Sequence, residues 1–353
     1  MVSSKRVRKV NSAIVISSRI RLARNLAGRR FVASATPQQL SEIYVVCANA
    51  VLKTKKMRTA KLYNMGEITE YDRAVLSEKR AISKELETSN TTKGAIVSKN
   101  GKLSAFINEE DHIRIQVLGD GLSLESLYKT ANALDDEIEN NLEYAYSSDI
   151  GYITSCPTNM GTGMRASVMM HLPALSADYQ MEKIVRALNQ LGMVVRGANG
   201  EGSDSFNAYY QLSNQQTLGI SENDIIKKIQ TFCKKICQFE INARSKIMED
   251  NPLLLVDKIL RARALLENCK LIDTDEALAN ISALRLAADM NMIDNGEDVI
   301  KTLDALSQNI LPAHLQECLS VSAESNQRDA IRAKYLNEEI AKLPEIKIGK
   351  INY

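Results

Sequence analysis

The sequence predicts a chain of two regions, an α+β region followed by an all-α bundle of helices. The division rests on a change of hydrophobic pattern near Asn251-Pro252. Before this point, short alternating apolar runs are separated by Gly, Asn and Asp turns, as in strands, and longer segments repeat at helical spacing. After it, apolar residues recur with the 3.6-residue period of helices. We therefore expect one domain over residues 14–246 and a second over residues 252–353.

The individual elements follow from the same patterns. Strands are expected at Ile14 to Ser18, Ala60 to Asn64, Leu103 to Asn108, Ile113 to Leu118, Gly151 to Ser155, Ser167 to Leu172 and Phe206 to Ser213. Helices are expected at Leu124 to Glu143, at Asp178 to Gln190 and after Ser221, where Glu222 and Asp224 would lie in the first turn. In the second region, four apolar series predict a four-helix bundle: Leu255, Ile259 and Leu266; Leu278, Ile281 and Leu284; Val299, Leu303 and Leu306; Ile331, Tyr335 and Ile340.

Composition excludes several classes of protein. The 353 residues are 44% hydrophobic and 25% charged, which indicates a globular protein, and the net charge of +2 is too small for a general nucleic-acid binder. No uncharged run approaches the ~20 residues that span a bilayer, and Lys5 to Lys9 are not followed by the apolar segment of a secretory signal. Six scattered cysteines predict no disulfide framework and three scattered histidines no metal site, so a cytoplasmic protein is expected.

Five arginines stand beside glycines, small polar residues or strand ends instead of on helix surfaces. Arg19 and Arg21 follow the first predicted strand and point to one side of an extended chain, and the others are Arg114, Arg165 and Arg196. A guanidinium makes bidentate contacts with phosphate oxygens, so this set is suited to binding a polyphosphate and to offsetting charge in phosphoryl transfer. The alternative is five surface arginines in unrelated ion pairs.

Four blocks of sequence carry a family resemblance. They are Val15 to Asn25 (VISSRIRLARN), Asn108 to Gln116 (NEEDHIRIQ), Thr154 to Leu172 (TSCPTNMGTGMRASVMMHL) and Val195 to Gly202 (VRGANGEG), followed by Leu212 to Asn214 and Leu218-Gly219. In this order they resemble the catalytic half of the ATP:guanido phosphotransferase, or phosphagen kinase, family. The resemblance implies an antiparallel sheet flanked by helices.

Within that family, the sequence is most similar to the bacterial protein arginine kinases. Only 16 residues precede Ser17, where creatine and arginine kinases have a helical N-terminal domain, and a helical C-terminal region is expected instead. The second feature is Arg328 to Ala333 (RDAIRA), which matches the RDxxRA motif of a phosphoarginine pocket in such kinases. The C-terminal domain would then serve regulation or partner binding.

The resemblance also implies roles for individual residues. Glu110 and Glu201 would grip the acceptor guanidinium, and Cys156 would help to polarise or orient it. The nucleotide, ATP with Mg²⁺, would be held by Ser17, Ser18, Arg19, Ile20, Arg21, Arg114, Arg165, Ala166, Ser167, Val168, Met169, Arg196, Gly197, Ala198, Asn199, Gly200 and Glu201.

The chemistry of the acceptor site agrees with these roles. A guanidinium has a pKa above ~12 and delocalised lone pairs, so its nitrogen is a poor nucleophile until it is oriented and a proton can leave. Two carboxylates placed about the planar group can do both, and a thiol beside several arginines could be deprotonated. The alternatives are a solvated acidic turn at Glu109 to Asp111 and an inert buried cysteine at Cys156.

The RDxxRA segment predicts a pocket of Arg328, Asp329, Arg332 and Ala333. Its two arginines are four residues apart, so they share one face of a helix that should start near Ser325 or Asn326, and its aspartate can orient the second arginine. The positive end of the helix dipole would favour an anion there. The alternative is an exposed helix face with an ordinary ion pair.

The expected activity is transfer of the γ-phosphoryl group of ATP to arginine side chains of proteins. The resemblance implies protein substrates that present arginine, a small zinc-binding activator protein, a Clp-type protease in stress response, and a homo-oligomer, with no membrane or direct nucleic-acid partner. One position departs from the family, because its nucleotide-contacting histidine is replaced here by Arg80. Alternative functions are a kinase for free arginine or another small guanidino compound and an inactive phosphoarginine-binding adaptor.

Overall fold

The computed structural model describes residues 13–89, 91–177, 180–197, 207–319 and 325–347. In this part of the chain, the main sheet has eight strands: β1 (Val15–Arg24), β2 (Lys61–Asn64), β3 (Gly94–Val97), β4 (Leu103–Ile107), β5 (Ile113–Asp120), β8 (Met164–His171), β9 (Met193–Gly197) and β10 (Tyr209–Asn214). Their spatial order is β2-β3-β4-β5-β1-β8-β10-β9, and every neighbouring pair is antiparallel. Two short strands, β6 (Tyr146–Ser147) and β7 (Gly151–Tyr152), form a separate hairpin.

Helices flank the sheet: α1 (Pro37–Lys53), α2 (Glu70–Glu78), α3 (Lys84–Glu87), α4 (Leu124–Glu139), α5 (Pro173–Ala177), α6 (Met181–Gln190) and α7 (Glu222–Asp250). Helix α4 packs on β1 and β5, and α7 packs on β8 and β10. The central strands bury residues such as Ile20 and Val168 in the same hydrophobic cluster as residues of these two helices. Helix α7 begins as predicted, because the Ser221 side chain accepts a hydrogen bond from the Asp224 amide.

The C-terminal region is helical, with α8 (Pro252–Asn268), α9 (Thr274–Asp289), α10 (Gly296–Asn309), α11 (Pro312–Leu319) and α12 (Ser325–Ile340). These helices have a hydrophobic cluster of their own. The predicted architecture, an antiparallel sheet flanked by helices and followed by a helical region, is confirmed. The number of C-terminal helices was predicted wrongly, because α11 spans too few residues to show the helical period clearly.

Several strand boundaries differ from the sequence-based ones. Strand β1 continues to Arg24, so Arg19 and Arg21 lie inside it and not after it. The strand expected at Gly151 to Ser155 is reduced to two residues. Strand β3 was not predicted, because all four of its residues are buried and it therefore lacks the polar alternation of a half-exposed strand. The expected start of β10 at Phe206 lies outside the described residues.

The C-terminal helices contact the sheet region through polar side chains. Glu78, the last residue of α2, binds the start of α11, where it contacts His314. His171 at the end of β8 is fully buried between Ser282 and Arg285 of α9. None of the helices in the described ranges has the length and apolar character required to cross a membrane.

Candidate active site

Strand register brings the central arginines to one face of the sheet. Arg21 on β1 lies opposite Arg165 on β8, and Arg19 lies opposite Ser167. The β1–β5 register places Arg114 on the same face. Because side chains alternate along a strand, residues directly opposite each other project from the same side. The arginines that are distant in sequence therefore form one basic surface, which we call the arginine face.

The arginine face extends toward the β9 edge of the sheet. Gln211 on β10 lies opposite both Met169 on β8 and Arg196 on β9, so these three residues share the face. The Gln211 side chain accepts a hydrogen bond of 2.8 Å from Arg19 Nη2. Arg196 is exposed, whereas the arginines of β1 and β8 are partly buried.

Arg80 also reaches this face, although it lies in the turn after α2. Its Nη1 donates to Ser17 Oγ at 3.4 Å, and its carbonyl accepts from Gln116 Nε2 at 2.8 Å. Gln116 is opposite Arg21 on the β5 side of the arginine face. The side chain of Arg80 is exposed. Arg80 is thus available to a ligand bound there.

Four residues expected at the nucleotide site have side chains on the opposite face. Ser18, Ile20, Ala166 and Val168 alternate with the arginine-face residues and are buried. The Ser18 hydroxyl donates to the carbonyl of Gly121 at 2.6 Å. These side chains support the two strands from behind, so only their backbone could approach a ligand on the arginine face.

The clustering of arginines is electrostatically unfavourable without an anion. Burial, followed by the charges of Arg80, Arg165 and Arg114, lowers the pKa of Arg19 to about 10. Burial and the charge of Arg19 lower the pKa of Arg21, and burial and the charge of Arg196 lower that of Arg165. The Nε atoms of Arg21 and Arg165 are buried and have no hydrogen-bond partner in the described part of the chain. Repelling cations with such unsatisfied N–H groups fit a bound polyphosphate.

Two glutamates partly neutralise Arg114. Glu109 contacts its Nη1 and Glu110 contacts its Nη2. The Glu109 side chain is almost fully buried, whereas that of Glu110 is 37% exposed. The acidic turn is therefore not simply solvated. The buried Glu109 carboxylate contacts Arg114 and is not accessible to a ligand, whereas the Glu110 carboxylate is accessible to a second partner.

Buried hydrogen bonds connect this acidic turn to the segment that contains Cys156, the expected catalytic cysteine. Asp111 is fully buried, and its Oδ1 accepts from Asn25 Nδ2 and from the Ser155 amide, both at 2.7 Å. The Asn25 side chain in turn accepts from the His112 amide at 2.9 Å. The sequence predicts no role for Asn25 and offers for Asp111 only a place in an acidic turn. The signal available was their polarity beside strand ends, which does not reveal the pairing.

Cys156 follows these hydrogen-bonded residues directly. It is partly accessible, and its Sγ lies 3.0 Å from Thr158 Oγ1, so it is not the inert core residue considered as an alternative. The pKa of Arg165 is lowered, mainly by burial. The charges of Glu110 and Cys156 act on it in the opposite direction, so Cys156 lies close enough to Arg165 to interact with it electrostatically. The turn between them is tight. A Cβ on Gly163 would lie 2.6 Å from the carbonyl oxygen of Ala23 in β1.

Two family models match the chain. The ATP:guanido phosphotransferase C-terminal catalytic domain matches residues 42–243, and the protein-arginine kinase McsB C-terminal domain matches residues 252–350. This chain belongs to the ATP:guanido phosphotransferase family. Curated relatives within the family are named protein-arginine kinases. The relative from Geobacillus stearothermophilus is 40% identical over 333 residues, which cover 94% of this chain and 91% of the relative. The relative from Clostridium tetani is 39% identical over 331 residues, which cover 94% and 96%.

Solved structures of the family share the fold. A duplicated taurocyamine kinase from Schistosoma mansoni with bound transition state analog components is similar with a TM-score of 0.59 and 26% identity. That match covers 66% of this chain and 34% of the other, so this chain spans about a third of the duplicated enzyme. A lombricine kinase is similar with a TM-score of 0.59 and 25% identity over 67% of this chain and 68% of its own.

Part of the site expected for a phosphotransferase of this family lies outside the described residues. Arg196 and Gly197 end β9, but Ala198, Asn199, Gly200 and Glu201 fall in the gap at 198–206. Magnesium binds through one or two carboxylates, waters and substrate phosphates. Within the residues that the structure covers, no cluster of three or more His, Cys, Asp or Glu could hold a metal ion.

The RDxxRA segment lies near the start of the described part of α12, which runs from Ser325. Residues 320–324 lie outside the described part of the chain, so the predicted helix start near Ser325 or Asn326 stays a prediction. Arg332 is buried, and its guanidinium donates to the carbonyls of Ile310 and Ile272 and to Asp329 Oδ1. Arg328 is partly exposed. The alternative of an exposed helix face with an ordinary ion pair therefore does not describe Arg332, which joins α12 to two other segments of the C-terminal region.

Arg165→Lys should impair nucleotide binding and catalysis more than stability in this phosphotransferase. Lysine keeps the charge but loses the planar group that spans two phosphate oxygens. Among the described residues, the side chain of Arg165 makes one hydrogen bond that the substitution removes, to Ser213 Oγ at 3.4 Å. We expect ATP affinity to fall about tenfold with the melting temperature nearly unchanged. Calorimetric titration with MgADP and a thermal melt measure both, and unfolding without a binding defect would identify a structural arginine.

Proposed function

We propose that this enzyme transfers the γ-phosphoryl group of ATP to arginine side chains of proteins. The observation that carries the proposal is the arginine face, whose guanidinium groups are partly buried, mutually repelling and in part without hydrogen-bond partners in the described residues. Such a surface is built to receive an anion with several negative charges. The proposed acceptor, a protein arginine side chain, is inferred from the relatives, which are named protein-arginine kinases.

The arginine face would bind the phosphates. Arg19, Arg21 and Arg165 are central on it, and their N–H groups would contact phosphate oxygens and stabilise the charge that spreads over the transferred group. Bound Mg²⁺ would supply further charge neutralisation to the phosphates. Because the arginines are already fixed on strands, little reorganisation is needed when the nucleotide binds.

The acidic side of the site would bind the acceptor. Glu110 is partly exposed beside Arg114, so its carboxylate would remain accessible to a substrate guanidinium. Glu110 and Glu201 would orient the acceptor, while Cys156 would polarise it. A guanidinium nitrogen then attacks the γ-phosphorus, the bond to the β–γ bridging oxygen breaks, and ADP leaves. The nitrogen loses its proton to a carboxylate, and no phosphoenzyme forms.

The decisive experiment incubates the full chain with γ-labelled ATP and either an unfolded protein or free arginine. We expect label on the protein, and we expect acid treatment to remove it, because a P–N bond is acid-labile and a phosphoserine ester is not. Label on free arginine alone would favour the small-molecule alternative, in line with the taurocyamine and lombricine kinases of similar fold. Transfer to neither acceptor would support the inactive adaptor.

We further propose the cellular setting that the family resemblance implies. Phosphorylated proteins would be marked for a Clp-type protease in stress response, a small zinc-binding protein would activate the kinase, and the kinase would form a homo-oligomer. A cytoplasmic location is supported by six cysteines that are all free thiols, since the cytoplasm keeps thiols reduced.

The RDxxRA segment would bind phosphoarginine and regulate the enzyme allosterically. Arg328 is the accessible cation of the pair, at the positive end of α12, whereas Arg332 holds the pocket together.

We expect Arg328→Ala to lose binding of free phosphoarginine by about tenfold or more, because it removes a charge-assisted contact, without a change in melting temperature. Arg332→Ala should lower the melting temperature as well. Titration of phosphoarginine into each variant tests this, and equal affinity in Arg328→Ala and wild type would reject the pocket.

A further inference from the structure

We propose that Glu78 is a positioning residue for nucleotide binding, because it anchors the segment 78–80 to α11 of the C-terminal region and thereby holds Arg80 on the arginine face. The inference rests on the proposed ATP site. The C-terminal helices would then help to assemble that site. Their influence would pass through segment 78–80, because no hydrogen bond or ion pair among the described residues joins a side chain of these helices to Arg19, Arg21, Arg114 or Arg165.

The grip of Glu78 on α11 is made of three hydrogen bonds. Its two carboxylate oxygens accept from the backbone amides of Ala313 and His314 at 2.9 and 2.8 Å, and the His314 ring nitrogen Nδ1 donates to it at 2.7 Å. These amides belong to the first turn of the helix, where N–H groups lack partners inside the helix and a negative charge is favoured. The side chains of Glu78 and His314 are largely buried, with exposed fractions of 13% and 5%.

Two weaker contacts accompany this grip. Lys79 and Glu317 form an ion pair of 2.9 Å between side chains that are both more than 40% exposed. Tyr71 Oη donates to the Ala313 carbonyl at 3.4 Å. Because exposed ion pairs contribute little, the buried carboxylate of Glu78 is the contact that fixes α2 against α11.

On the other side, the same segment is tied to the arginine face. Arg80 has a positive φ of 56°, a conformation that residues with a Cβ rarely adopt and retain only where the surroundings impose it. Its carbonyl is held by Gln116, and its guanidinium reaches Ser17. Its charge is close enough to contribute, after burial, to the lowered pKa of Arg19.

Glu78 and Arg80 are separated by one residue, so the two attachments cannot move independently. If α11 releases Glu78, the strained turn at Arg80 loses the constraint on its α2 side, and the guanidinium no longer has a fixed position above Ser17. The expected consequence is weaker nucleotide binding without a direct effect on the acceptor site around Glu110. The C-terminal region would therefore tune ATP affinity through three consecutive residues of the chain.

A double-mutant cycle on the full chain tests this, with MgADP as the probe in calorimetric titrations. We expect Glu78→Ala to weaken MgADP binding about tenfold, and Arg80→Ala to weaken it by a similar factor. The double variant should bind no more weakly than Arg80→Ala alone, because Glu78 acts through Arg80. At saturating ATP, kcat of Glu78→Ala should stay within about twofold of wild type, so that the defect appears in KM for ATP.

Glu317→Gln is the matched control, because it breaks the exposed ion pair between the same two helices, and it should leave MgADP affinity unchanged. If Glu78→Ala lowers the melting temperature but leaves the affinity for MgADP unchanged, the contact is merely structural and the inference is overturned. The inference is also overturned if the losses of MgADP affinity in the two single variants multiply in the double variant. Where Glu78→Ala fails to fold, Glu78→Gln keeps one acceptor oxygen and should show a smaller loss of the same kind. A wild type that does not bind MgADP would overturn the ATP site itself, whereas a binding wild type with an unaffected Glu78 variant overturns this inference alone.

Discussion

Glu110→Gln is expected to lower kcat for phosphoryl transfer by about a hundredfold or more, the usual scale for removing a positioned acid or base. The amide keeps the size of the carboxylate but cannot bind a guanidinium as an anion or accept its proton. MgADP affinity should stay within about threefold, because Arg114 retains its contact with the buried Glu109. Single-turnover kinetics at saturating substrates, together with calorimetric titration of the nucleotide, separate the two effects. Glu201→Gln is expected to behave in the same way.

The neighbouring residue provides the control for this prediction. Glu109→Gln is the same chemical change one position earlier, but it breaks a buried ion pair with Arg114 and should therefore lower the melting temperature. Its kcat at saturating substrates should fall less than that of Glu110→Gln. Equal losses of kcat in the two variants would show that both act only by holding Arg114, and the acceptor role of Glu110 would be wrong.

The residues of the arginine face could be predicted from the sequence, but their arrangement could not. The family blocks identified Arg19, Arg21 and Arg165, and alternation along an extended chain placed the first two on one side. The register that sets Arg21 opposite Arg165 depends on the pairing of strands far apart in sequence. Local patterns carry no information about such pairing, because it is decided by packing of the whole sheet.

Other parts of the site were missed for the same physical reason. Asp111 was considered as part of a solvated acidic turn, yet it is fully buried, because Asn25 and the Ser155 amide satisfy its Oδ1. The grip of Glu78 on α11 joins two regions of the chain, and a glutamate at a helix end normally indicates only solvent exposure. Charged residues become buried where distant segments supply partners, and that is a property of tertiary structure.

Arg21→Leu is expected to weaken MgADP binding about a hundredfold and at the same time to raise the stability of the nucleotide-free protein. The binding loss follows from the central position of Arg21, opposite Arg165, and from its buried Nε, which has no partner among the described residues. The gain in stability follows from its lowered pKa, caused first by burial and then by the charges of Arg19, Arg114 and Arg165. A base whose pKa is lower in the folded state destabilises the fold at every pH below that folded pKa, so the penalty is present at neutral pH.

We expect the melting temperature of nucleotide-free Arg21→Leu to rise by a few degrees, which corresponds to about 1–2 kcal/mol, because a partly buried charge, whose Nε has no partner among the described residues, is replaced by an apolar side chain. Saturating MgADP should raise the melting temperature of wild type, whereas the variant should respond weakly. Arg24→Leu, in the same strand, is the matched control. Arg24 is buried in an ion pair of 2.6 Å with Asp135, so its loss should lower the melting temperature through an unpaired buried carboxylate. A destabilised Arg21→Leu would show that Arg21 holds the fold together, and would contradict a face assembled for an anion.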